Sequence, residues 1–151
     1  MNILILEDDD VRISRFKFNL VGGDIKIKKS AANFKKEVVK GRWDVLFLDH
    51  DLDGRQHVPI TYKNTGSDVA RFLANDFYSI TQLPLSDMVI IIHSLNDVGR
   101  TEMKCLLPSA FVCPCAWDRF TMLSLQDSGV LDFMKNQAKL QSQQLIDHGF
   151  L

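Results

Sequence analysis

Cysteine is scarce in this 151-residue chain, and its three copies are an odd number that no fully paired disulfide framework can use. Cys113-Pro114-Cys115 is not a Cys-x-x-Cys pair and has no histidine beside it, so zinc is not expected there and plain thiols in a reducing compartment are. An excess of one charge is also missing. Eighteen Lys and Arg against 19 Asp and Glu leave a formal charge of −1, too weak a field for bulk DNA binding or membrane attraction. Any anionic ligand must therefore be held by local groups. Long hydrophobic runs are absent too: Asn2–Leu6 is too short for a signal peptide and follows no basic leader, and no later run approaches membrane-spanning length. A cytoplasmic protein is expected. No repeat, linker or second composition interrupts the chain, so residues 1–151 read as one domain. Leu, Ile, Val and ten Phe spread along it supply a core without metal or disulfide staples.

What is present is a rhythm. Asn2–Leu6 is apolar and stops abruptly at Glu7-Asp8-Asp9-Asp10, as a buried strand does where it meets a polar turn. Ile13, Phe16 and Leu20 recur at helical spacing, Gly22-Gly23 interrupt them, and Ile25 and Ile27 alternate with lysines as on an edge strand. Ser30 is placed to cap a helix carrying Ala31, Phe34 and Val38, which Gly41 stops. Val45–Leu48 is a third strand ended by Asp49-His50-Asp51. Val69, Ala70, Leu73 and Phe77 mark a helix, Met88–Ile92 a fourth strand ended by His93-Ser94, and a helix starts near Asp97. Phe111-Val112-Cys113 is a short fifth strand, and Val130, Met134, Ala138 and Leu145 mark a last helix with a Gln-rich solvent face. Strands and helices alternating in this way predict an α/β three-layer sandwich with a five-stranded parallel sheet in flavodoxin-like order.

Ligands of such sheets bind beyond the carboxyl ends of the strands. Strand one delivers Glu7, Asp8 and Asp9 there, strand three Asp49, His50 and Asp51, strand four His93, Ser94 and then Asn96. Carboxylates at a helix start commonly serve only its dipole, and a lone strand-end histidine is commonly structural. Three strands all ending in titratable residues shift the balance toward a site, with His50 and His93 as its centre. His57 and His148 lie in polar surroundings and receive no role. Asp49-His50-Asp51-Leu52-Asp53-Gly54 also opens like an EF-hand loop, but its twelfth position is Ile60, where calcium needs a glutamate. Asp53-Gly54 is a turn.

In this order the residues resemble the receiver domain of response regulators from Ile3 to Pro114. The resemblance implies Glu7 and Asp8 as the acidic pair and Asp49 as phosphoacceptor. It also sets His93 where receivers have Thr or Ser, and Cys113-Pro114 where they have Lys-Pro, two departures that weaken an ordinary signalling role. The sequence is more closely similar to the cyclic-phosphate-processing receiver-like family, with its patterns L-D-H-D-L, T-G-x-D-V-A and H-S-x-N-x-V-G-R-x-x-M. Here they stand as Leu48–Leu52, Thr65–Ala70 and His93–Met103, and the last is the most specific. The resemblance implies a receiver-like fold acting on cyclic phosphates.

Opening a cyclic phosphodiester needs a base, an acid and donors for the phosphoryl oxygens. His50 and His93 can fill the first two roles in either order, with Asp49 or Asp51 orienting an imidazole. Ser94, Asn96, Arg100 and the backbone N–H groups around Val98-Gly99 offer an anion cradle. Alternatively Glu7, Asp8 and Asp49 hold Mg²⁺ or Mn²⁺, which activates the water, with the histidines as added ligands or proton carriers. Gly54–Thr65 is long for a connection and is expected to fold over the site, with Tyr62 stacking on a base. The expected activity is a phosphodiesterase opening or hydrolysing a cyclic nucleotide or an RNA cyclic-phosphate end, in the cytoplasm, or in the host cytoplasm if the protein is viral. The alternatives are a non-catalytic module binding a phosphate-bearing ligand or protein partner, and phosphoryl acceptance at Asp49.

Overall fold

The computed structural model describes residues 1–52, 54 and 63–150. Tyr62, His57 and most of the expected covering segment fall outside them. Five short apolar runs form strands β1 (Asn2–Leu6), β2 (Asp24–Lys28), β3 (Val45–Leu48), β4 (Val89–Ile92) and β5 (Phe111–Val112). All pair in parallel, in the order β2-β1-β3-β4-β5, which is the flavodoxin-like sheet the rhythm predicts. Both faces must be covered, because β1, β3 and β4 are apolar at nearly every position.

Alternation of side chains sorts the core into two halves. Leu4, Leu6, Leu46, Leu48, Ile90 and Ile92 pack with Phe34 and Val38 of α2 (Ala31–Val38), Leu73 of α3 (Gly66–Asn75) and, beyond α4 (Phe77–Thr81), Met103 of α5 (Asp97–Leu106). Ile3, Ile5, Val45, Phe47 and Ile91 pack with Phe16 of α1 (Asp10–Asn19), with Trp117, with Leu125 of α6 (Met122–Gln126) and with Met134 of α7 (Ser128–Asp147). Side-chain caps start the helices nearest the sheet's carboxyl edge: Asp9 accepts from Arg12 N, and Asn96 accepts from Gly99 N.

Three expectations need correction. Phe77 does not share a helix with Val69, because α3 ends at Asn75 and a separate turn of helix, α4, begins at Phe77. Met88 and Cys113 lie just outside β4 and β5. The last helix does not turn all its glutamines to solvent: Gln141 accepts from Val112 N at 2.9 Å and donates to Val112 O at 3.0 Å, closing the open edge of β5. The three cysteines are free thiols. No helix among the described residues is long and apolar enough to cross a membrane.

Candidate active site

Register decides which side chains meet. Leu6, Leu48 and Ile92 are neighbours across the sheet, and the ladder continues one step, with Asp49 N donating to Leu6 O and His93 N to Leu48 O. Glu7, Asp49 and His93 therefore form one row at the carboxyl edge, and Asp8, His50 and Ser94 form the next. Successive rows point to opposite faces.

The first row turns toward α1 and is almost sealed from water, with Glu7 and His93 at 0% exposure and Asp49 at 1%. His93 Nε2 donates to Glu7 Oε2 at 3.2 Å, and its ring stands edge-on among Phe16, Phe47 and Trp117. Its Nδ1 is buried and has no partner among the described residues. Ligand atoms of Glu7, Asp49 and His93 lie within 4.8 Å of one another. A cation already stands among them: Arg12 Nη2 is 2.9 Å from Glu7 Oε1, 3.1 Å from Asp49 Oδ2 and 3.9 Å from Asp8 Oδ1. The Arg12 guanidinium also lies 5.2 Å from the centre of the Trp117 ring. Burial raises the pKa of Asp49 above its ordinary value, helped by the Glu7 carboxylate and opposed by His93 and Arg12. Asp8 is raised as well, chiefly by burial, although it accepts from Gly54 N.

The second row turns toward α5. His50, also at 0% exposure, lies so close to the start of α5 that only a glycine fits beneath it; a Cβ on Gly99 would sit 2.3 Å from His50 Cγ. His50 Nδ1 is 2.8 Å from Asp51 Oδ1, and Asn96 Nδ2 donates to the same carboxylate oxygen at 2.9 Å. A carboxylate only accepts, so Nδ1 carries a proton and, in the neutral ring, Nε2 keeps the lone pair. That Nε2 is buried with no partner among the described residues. Ser94 caps the turn that follows β4, its hydroxyl accepting from Asn96 N at 3.2 Å. Arg100 Nη1 donates to Ser94 O at 2.8 Å, and Nη2 pairs with Asp97.

The expectation that both imidazoles meet in one crevice is therefore corrected: they share an edge of the sheet but lie on opposite faces, each with its own carboxylate. Of the expected acidic set, Glu7 and Asp49 meet as expected, with His93 as added member, and Asp8 does not join them but stands one row away. Ser94, Asn96 and Gly99 do gather, around His50, and their polar groups bond one another. Sequence reading missed Arg12. Its signal is a basic residue in the first turn of α1, where the helix dipole disfavours one, one helical turn from Asp8.

The sequence profile of the family described as “Cyclic-phosphate processing Receiver domain” matches residues 3–109. The chain belongs to that family. Its fold is shared with the signal receiver domain of a modulated diguanylate cyclase from Desulfovibrio desulfuricans G20, at 19% identity and TM-score 0.53 over 93% of this chain and 97% of the other. A sensor protein from Polaromonas sp. JS666 matches at 20% identity and TM-score 0.50, over 93% and 97%. The Mn²⁺-bound form of response regulator Rcp1 matches at 13% identity and TM-score 0.50, over 91% and 88%. No curated protein matches the sequence.

Two carboxylates and an imidazole are a sound ligand set for Mg²⁺ or Mn²⁺. Here Arg12 Nη2 lies on Glu7 Oε1 and Asp49 Oδ2, and backbone N–H groups of Asp8, Asp9 and His50 bond the same carboxylates, so the site as built does not fit a divalent ion while that guanidinium is in place.

Proposed function

We propose that this chain opens or hydrolyses a cyclic phosphodiester, either a cyclic nucleotide or an RNA 2′,3′-cyclic phosphate end, with His50 as the proton-transfer group. One observation carries the reading. Asp51 holds the Nδ1 proton of His50 at 2.8 Å, helped by Asn96, which leaves Nε2 as a lone pair fixed in direction. That is the arrangement a general base needs to take a proton from water attacking phosphorus. The imidazolium so formed is stabilised by Asp51 and can return the proton to a departing ribose oxygen. Asp49, Arg12, His93 and Glu7 form the charged wall on the other side of the same edge, and the bond from His50 N to Asp49 Oδ1 links the two. His50 is enclosed, so its ring must be uncovered when substrate enters.

A second reading, a receiver-derived module that binds a phosphate-bearing ligand without turnover, is favoured by one fact: both rings are at 0% exposure. A single experiment separates them. The protein is incubated with 2′,3′-cyclic mononucleotides and with cyclic di- and oligonucleotides, in Mg²⁺, Mn²⁺ or EDTA, and linear products are sought. Turnover that falls roughly 10²–10⁴-fold in His50→Ala supports the enzyme. Binding without conversion establishes the module, and turnover within a few-fold of wild type in His50→Ala removes His50 from the chemistry.

A further inference from the structure

The geometry points to Arg12 as a built-in cation that takes the place of a divalent ion in the buried row of Glu7, Asp49 and His93. Three observations converge on it. First, a single nitrogen of the guanidinium reaches both buried carboxylates and lies 3.9 Å from a third. An arginine that merely trails along a surface does not centre itself in this way. Second, the partners are among the least exposed residues of the protein, at 0% for Glu7 and 1% for Asp49, whereas the Arg12 side chain keeps 20% exposure. The positive charge is thus delivered from the rim into an acidic nest whose other partners are N–H donors, Asp8 N and Asp9 N on Glu7 Oε1, His93 Nε2 on Glu7 Oε2 and His50 N on Asp49 Oδ1, and two neighbouring buried carboxylates favour a full counter-charge beside them. Third, the guanidinium has an apolar seat as well as its ion pairs: it rests over the Trp117 ring at 5.2 Å.

The consequence is competition. A divalent ion and the guanidinium need the same carboxylate lone pairs, so the ion can bind only if Arg12 leaves, and leaving means surrendering the stacking on Trp117 as well as the ion pairs. The protein in its resting arrangement is thereby a weak binder of Mg²⁺ and Mn²⁺, although it retains a ligand set able to hold them. The inference goes beyond the His50 reading and is independent of it.

The test uses Mn²⁺ alone with the full chain and no cyclic phosphate, so its failure and the failure of the His50 reading are distinguishable. By isothermal titration, Arg12→Gln is expected to bind Mn²⁺ at least tenfold more tightly than wild type. Its thermal midpoint is expected to fall in EDTA and recover in Mn²⁺, while the wild-type midpoint is the same in both. Wild type binding Mn²⁺ as tightly as the variant, or a variant that gains nothing, overturns the inference. A second measurement needs no variant: in NMR spectra of wild type, equimolar Mn²⁺ is expected to leave the His93 ring signals sharp. Selective paramagnetic broadening of those signals at equimolar Mn²⁺ would mean that the ion enters the row of wild type despite Arg12, and would overturn the inference even if Arg12→Gln does not fold.

Discussion

Gly99 carries no side chain because His50 occupies the space one would need. A methyl group there would lie 2.3 Å from His50 Cγ, so Gly99→Ala must push the imidazole away from Asp51. Overpacking of this kind costs about 1–3 kcal/mol. We expect that loss in urea unfolding, together with a fall in cyclic-phosphate turnover larger than the fall in folded protein explains. A variant of full stability and full activity would show that the ring is not seated against α5. Asp49 offers a titration at the same scale. Burial raises its pKa above the ordinary 3.8, so between that value and the raised one the folded chain holds a proton that the unfolded chain has released. Its contribution to stability accordingly falls as pH rises through the folded pKa. Carboxyl-detected NMR should find Asp49 titrating above 3.8, and a lower value would contradict the desolvation of this row. At this scale the sequence was legible in kind but not in direction. His50 is the second residue past its strand and His93 the first past its own, a difference of one that sends them to opposite faces. That parity is visible only once the last residue of each strand is known, Leu48 for β3 and Ile92 for β4.

Elements with a clear period were read with little error, because an apolar stripe is a property of the element alone. What each element packs against is not. Lys104 on α5 is the clearest case: its ammonium donates to Pro108 O at 2.6 Å and to Ala110 O and Ala138 O at 2.7 Å, clamping the turn before β5 onto α7. Nothing in the spacing of α5 distinguishes this lysine from a solvated one. Helices α4 and α6, five residues each, are too short to display a period at all. We expect Lys104→Met to lose about 3 kcal/mol, since leaving buried acceptors unsatisfied costs roughly 1–3 kcal/mol each and some carbonyls will find water. A loss below about 1 kcal/mol would show that the clamp is dispensable. Burial also pulls the Lys104 pKa down to about 8. From there toward 10.5 the unfolded chain retains a proton that the folded chain has given up, so this residue adds stability as pH rises across that window. In wild type the urea midpoint should therefore hold up better between pH 8 and 10 than in Lys104→Met, from which the titrating group is gone.

For the whole molecule, five strands, their order and the edge at which the titratable residues gather were legible because parallel crossovers leave few alternatives. The division of that edge was not, because it depends on how far each strand's ladder runs before the chain turns away. Glu7, Asp49 and His93 face α1 with Arg12, and His50 faces α5 with Asp51 and Asn96. The two half-sites are joined where His50 N donates to Asp49 Oδ1 at 2.8 Å, with no bond between the rings among the described residues. This arrangement predicts which substitutions add. Stability changes of residues without shared partners add to within about 0.5 kcal/mol, whereas members of one network couple by about 0.5–3 kcal/mol. In urea unfolding, His50→Ala combined with His93→Ala should therefore be additive. Arg12→Gln combined with His93→Ala should not be, because both bond the Glu7 carboxylate. Coupling above about 1 kcal/mol between the two histidines, with none between Arg12 and His93, would mean that the rings share one crevice after all and that the partition by face is wrong.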